Sequence, residues 1–131
     1  MKISAVQQPP VYLDLERTME RAIGLVAQAA TDGCRMIVFP EAWFPGYPTF
    51  VWRFSPGADM AKTDALYARL LANCIDRSKG GLALLQEAAK EHAMVIVAGY
   101  QEVDGRASCS TIFNSVAIID ADGRWPTTTG S

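Results

Sequence analysis

Two stretches of the chain are apolar without a polar side to spare. Met36-Ile37-Val38-Phe39 is apolar at every position. Thr111 to Ile119 sets Ile112, Val116 and Ile118 on one face and Phe113, Ala117 and Ile119 on the other. Successive strand residues point to opposite faces. A strand apolar on both faces therefore needs cover on both, as in the sheet of an α/β domain. Ile3 to Val6, stopped by Pro9-Pro10, and Met94 to Tyr100 read as two more strands.

The segments between them carry helical spacing. Asp14 is placed to cap a helix with Leu15, Met19, Ala22, Val26 and Ala29 along one face, ended by Gly33. Ala61 to Ile75 sets Leu66, Leu70 and Cys74 on one stripe. Ser78 is placed to cap a further helix with Leu82, Leu85 and Ala89 facing inward. Gly99 and Asp104-Gly105 punctuate the end of the third strand, and Asp122-Gly123 marks a turn. Strands alternating with helices give an α/β fold. No internal repeat or low-complexity block is present, and the last six residues, from Pro126, have little core-forming character.

A chain of 131 residues fits one domain. A domain of this size hides roughly two-thirds of the surface its unfolded chain exposes. Half the residues are apolar and 20% are charged, which excludes a disordered chain. Twelve Lys and Arg against fourteen Asp and Glu leave a net charge of -2, without the basic footprint that nucleic acid or an anionic lipid surface requires. No apolar run approaches the ~20 residues of a membrane span. The N-terminus lacks the longer apolar run of a secretory signal. The cysteines, Cys34, Cys74 and Cys109, are odd in number and far apart, which argues against a disulfide framework or a zinc site and for reduced thiols in the cytoplasm. A single histidine, His92, cannot make a metal site alone, so no metal and no cofactor is expected.

Glu41 to Asp59 is a different kind of sequence. Pro45, Gly46, Pro48, Pro56 and Gly57 alternate with Trp43, Phe44, Tyr47, Phe50, Trp52 and Phe54. Proline forbids regular structure here, and a loop this long serves a site or an interface. Glu41 follows the second strand by two residues, and ligands of α/β folds gather beyond the C-terminal ends of strands. Beside Trp43 and Phe44, apolar walls would raise its pKa and fit it to move protons. The plainer reading is a solvated loop carboxylate or the cap of a short turn.

The string Phe39-Pro40-Glu41-Ala42-Trp43-Phe44-Pro45-Gly46-Tyr47-Pro48 resembles the first catalytic motif of the nitrilase superfamily of carbon–nitrogen hydrolases, and is similar to its true nitrilase branch. Ala5-Val6-Gln7, Gly33 to Val38, Val97 to Glu102 and Phe113 to Ala117, followed by Asp122-Gly123, resemble further family segments in the right order. The resemblance covers residues 1–124 and sets 125–131 apart as an atypical tail. It implies the N-terminal part of a nitrilase-like α-β-β-α sandwich. It also implies a Glu-Lys-Cys reaction centre. A thiolate attacks the nitrile carbon, the glutamate moves the protons, an ammonium steadies the developing charge, and water releases the acid after ammonia has left.

Residue by residue, only Glu41 carries over as a catalytic group. Where the family has its lysine, this chain reads Arg124-Trp125-Pro126-Thr127, and it stops before the family's cysteine. The tail reads as an abrupt junction. Cys34 and Cys74 read as core, Cys109 as an exposed thiol between serines, and Lys62, Lys79 and Lys90 as solvated charges. Asn114 reads as structural, and Trp52 and Phe54 as loop packing or subunit contact. Tyr47 is the candidate substrate-binding residue, with a packed loop aromatic as the alternative. The expectation is a nitrile hydrolase by family that lacks activity alone, acting on small nitriles or amides. The alternatives are an amidase or carbamoylase relative, or a non-catalytic assembly module. An uncovered sheet surface would make such a module self-associate or form a homo-oligomer.

Overall fold

A computed structural model describes residues 1–55, 57–103 and 111–125, and the backbone of a strand at 127–130. The elements run β1 (Ile3–Ala5), α1 (Leu15–Thr31), β2 (Met36–Val38), a 3-10 turn (Thr49–Trp52), α2 (Met60–Ala72), a second 3-10 turn (Arg77–Lys79), α3 (Ala83–His92), β3 (Val95–Val103), β4 (Ile112–Ile119) and β5 (Thr127–Gly130). Their sheet has the order β1-β2-β3-β4-β5. The first three strands are parallel, and β4 and β5 are antiparallel. The α/β class expected from the alternation is what the chain adopts.

Helix α1 forms where its spacing says it should. The Asp14 carboxylate accepts from the Arg17 backbone N–H at 3.0 Å and fills one of the open positions of the first turn. Thr18, Met19, Ala22, Val26 and Ala29 are its buried residues. The second cap differs from expectation. Asp76, not Ser78, is the acceptor, taking the Ser78 backbone N–H at 3.0 Å and its hydroxyl at 2.5 Å. The two residues compete for one local turn, and the carboxylate accepts where the hydroxyl also donates. The turn closes at Gly80, with φ 71, and α3 starts later at Ala83.

Strand β3 also differs from expectation. It runs through Gly99 to Val103, so Gly99 does not end it. Asp104 and Gly105 lie outside the described residues. The pairing register then sorts the sheet into two faces. Ile37, Ile96 and Ile119 share one row, and Ala98 and Ala117 another. All five are buried in the main core with Ala22 and Val26 of α1 and Leu85 and Ala89 of α3. A smaller cluster joins Leu13, Phe50, Leu70 and Cys74, with Leu66 and Val103 packed against it.

The opposite face carries Val38, Val97 and Ile118 in one row and Gly99 beside Val116 in the next. Ile118 is 45% exposed and Val116 38%. Among the described residues the helices thus cover one face, while the apolar character of β4 on its second face remains open. In the expected tail, Thr127–Gly130 pairs with Ser115–Ile118. No helix among the described residues is long and apolar enough to cross a membrane.

Candidate active site

The aromatic loop positions Glu41 by burying the three residues after it. Phe39 donates to the Val97 carbonyl at 2.8 Å, which continues the β2 pairing one step past the strand. The chain then passes over the face of β3 at Gly99 and rejoins the edge that β2 pairs with. Phe44 donates to the Gly99 carbonyl at 3.2 Å and accepts from the Gln101 N–H at 2.8 Å, a parallel bridge to Tyr100. Ala42, Trp43 and Phe44 are buried to within 3%. The rings of Phe39, Trp43 and Phe44 meet at 4.8 to 5.3 Å in tilted and edge-on contacts, geometries that suit aromatic quadrupoles. Trp43 Nε1 donates to the Gln8 carbonyl at 2.8 Å, which ties this pedestal to the segment that follows β1.

Two glycines make the crossing possible. A Cβ on Gly99 would stand 2.8 Å from the Glu41 Cα and 2.9 Å from the Pro40 carbonyl carbon. At Gly46 the φ of 131° suits glycine, and a Cβ there would meet the Tyr12 ring at 2.6 Å.

Glu41 itself stands at the edge of the pedestal and is exposed. The apolar walls expected around its carboxylate belong to the residues after it, whose rings turn into the core. The carboxylate accepts a hydrogen bond from Asn114 Nδ2 on β4. Asn114, read from sequence as structural, therefore meets the one acid singled out for chemistry. Tyr47 is 39% exposed, and its ring stacks on Trp52 at 5.4 Å and 30°. The two form an aromatic pair on the loop surface. Phe54 packs against the smaller core cluster.

Among the described residues no thiol is brought to Glu41. Cys34 is buried ahead of β2, at the end of the strand opposite the acid. Cys74 is buried beside Leu70, and burial pushes its thiol up to about 12, far from the thiolate that nucleophilic attack requires. Cys109 lies outside the described residues. Lys62 pairs with Asp59 at 4.0 Å along α2. Lys79 and Lys90 are exposed on the second 3-10 turn and on α3. His92 Nε2 lies 4.0 Å from its neighbour Glu91. Among the described residues no group of His, Cys, Asp and Glu is arranged to hold a metal ion.

A second polar cluster is not among the candidates that the sequence offers. The Glu102 side chain is 8% exposed, and the Arg77 guanidinium lies 2.5 Å from its Oε1. Ser115 Oγ donates to Oε2 at 2.8 Å and the Tyr100 hydroxyl at 3.3 Å. Burial, and then the Glu102 charge, raise the Tyr100 phenol above its ordinary pKa. The Arg77 guanidinium sits 5.2 Å from the centre of the Trp125 ring. An acid near the end of a mostly apolar strand is the available signal, because a buried carboxylate requires a cation or several donors.

The profile of the family described as Carbon-nitrogen hydrolase matches residues 2–130. The chain is 35% identical over 123 residues to an aliphatic nitrilase of Rhodococcus rhodochrous, covering 94% of this chain and 32% of that protein. It is 33% identical over 128 residues to an arylacetonitrilase of Aspergillus niger, covering 98% of this chain and 36% of the relative. It thus spans about a third of the length of the curated relatives it matches. Among solved structures, an amidase from Nesterenkonia sp. superposes with a TM-score of 0.65 at 16% identity, over 100% of this chain and 42% of that one. The C. elegans NitFhit protein superposes with a TM-score of 0.68 at 19% identity, over 98% of this chain and 27% of that one. With a match that runs through β5 and a shared fold, the chain belongs to the carbon–nitrogen hydrolase family.

Proposed function

We propose that this chain carries the carboxylate base of a reaction that hydrolyses a nitrile to a carboxylic acid and ammonia, and that it does not turn over nitriles by itself. The observation that supports the base is Glu41 on its buried pedestal, with its carboxylate facing outward and held by an amide. The family motif around Glu41 and the names of the nitrilase relatives favour a nitrile over an amide. The inactivity rests on the chemistry at hand. A thiol needs a base within hydrogen-bond reach before it can attack, and the two described thiols, Cys34 ahead of β2 and Cys74 in the smaller core cluster, are buried. Tyr47, stacked on Trp52, lies close in sequence to Glu41 and would present an aromatic edge to substrate.

Purified chain incubated with aliphatic nitriles, arylacetonitriles and the matching amides is expected to release no ammonia above the buffer blank. Turnover abolished by Glu41→Gln would overturn the inactivity and keep the base. Turnover that survives Glu41→Gln would overturn the base as well.

The open sheet face favours a second reading, that of an assembly module. Ile3 on β1 and Val116 and Ile118 on β4 are exposed by 53%, 38% and 45% on the face that lacks a helical layer, and exposed apolar surface drives association. The chain is expected to elute from size exclusion, with light scattering, at twice the monomer mass or more. The pair Val116→Lys and Ile118→Lys should return it to monomer with its melting curve retained. A monodisperse wild-type monomer with cooperative melting would remove this reading.

A further inference from the structure

Glu41 and Asn114 are 73 residues apart in sequence, and the strand that separates their elements, β3, passes beneath their contact. Three placements bring them together. Pro40 and Glu41 lie directly on Gly99, whose missing side chain lets the backbone rest there. Asn114 pairs in register with Gln101, two positions beyond Gly99, and so belongs to the same open face as Val116 and Ile118. Its amide then reaches the carboxylate from the neighbouring strand.

We infer that Asn114 is the positioning residue for Glu41, fixing the exposed carboxylate over the open face of the sheet with a neutral donor. The inference deepens the reading of Glu41 as the base and rests on it. A glutamate side chain left in water samples several rotamers. A hydrogen bond from a rigid strand selects among them. The chemical type of the donor matters too. An asparagine amide donates without carrying charge, so it orients the carboxylate while leaving its negative charge uncancelled. Arginine or lysine in the same place would form an ion pair and favour the ionised state. Engaging Oε1 directs the other oxygen elsewhere, toward whatever proton the acid is to take.

The test is made by nuclear magnetic resonance on isotope-labelled chain. Side-chain three-bond couplings report the Glu41 rotamers, and the Asn114 NH₂ signals report the donor. In the wild type the couplings are expected to show one dominant rotamer, and Asn114→Ala to average them. Glu41→Gln should move the Asn114 NH₂ signals while distant amides stay in place. Should Asn114→Ala destabilise the fold, the exchange pair supplies the same information. Asn114→Asp alone sets two carboxylates together and should release Glu41. Asn114→Asp with Glu41→Gln restores an amide-to-carboxylate bond and the ordered rotamer at position 41.

Glu41 couplings that are identical in wild type and Asn114→Ala would overturn the inference, as would Asn114 signals indifferent to Glu41→Gln. Failure of the base reading is recognised separately. It shows as ammonia release above the buffer blank that persists in Glu41→Gln, whatever the rotamers do.

Discussion

Gly99→Ala is expected to lower the melting temperature by about 3–12 °C, and Gly99→Val to prevent folding. The added methyl meets main chain, not a side chain that can swing aside. The Glu41 Cα and the Pro40 carbonyl carbon stand 2.8 and 2.9 Å from where it would be. Overpacking a tight site costs about 1–3 kcal/mol, and roughly 3–4 °C of melting temperature goes with each kcal/mol in a domain near this size. Relief can come only by lifting the crossing segment off β3. That stretches the Phe44 bonds to Gly99 and Gln101 and carries Glu41 away from Asn114. Gly24→Ala is the matched control with the opposite sign. It lies inside α1 with nothing within 4 Å of the added Cβ, so the better helix former should stabilise by about 0.5–1 kcal/mol. Circular dichroism melts of the variants decide the matter. Equal melting of Gly99→Ala and wild type would show that the crossing is loose.

Arg77→Ala is the other large effect. It leaves the Glu102 carboxylate buried with two hydroxyl donors and without the guanidinium at 2.5 Å. Removing one partner of a buried ion pair typically costs about 3–5 kcal/mol. The low end, about 3 kcal/mol, is expected because the Arg77 side chain is itself 33% exposed. Arg77→Lys should fall between, since an ammonium keeps the charge but loses the planar fork and the stack over Trp125. The double change Arg77→Ala with Glu102→Ala should cost less than the sum of the two single changes, because the second removal takes away the stranded charge. Urea unfolding read by fluorescence gives the cycle. An additive double variant would mean that the pair does not act as one.

The parts of this fold that the sequence discloses are those governed by neighbours along the chain. Helix α1 is readable because its apolar spacing and the Asp14 cap are local signals that agree. Strands β2 and β4 are readable from apolar runs bounded by turn residues. Glu41 is readable through its motif. Gly99 misleads because the local rule treats glycine as punctuation. Its reason lies far earlier in the chain, in the backbone at Glu41 that rests on it. Asn114 and Glu102 stay hidden for the same cause. A polar residue in a strand declares its purpose only once pairing brings in its partner, here Glu41 for one and Arg77 for the other. The exposure of Glu41 is likewise hidden. Aromatic neighbours in sequence suggest apolar walls, but their side chains turn inward and form the floor instead.

The buried rings beneath the acid have one further consequence. Surface loops usually open and close on their own, well below the energy of whole-domain unfolding. The segment Ala42–Gly46 does not have that freedom, being stitched to the middle of the sheet and filled by core aromatics. Local opening beneath Glu41 therefore has to break contacts that also hold the core of the domain together.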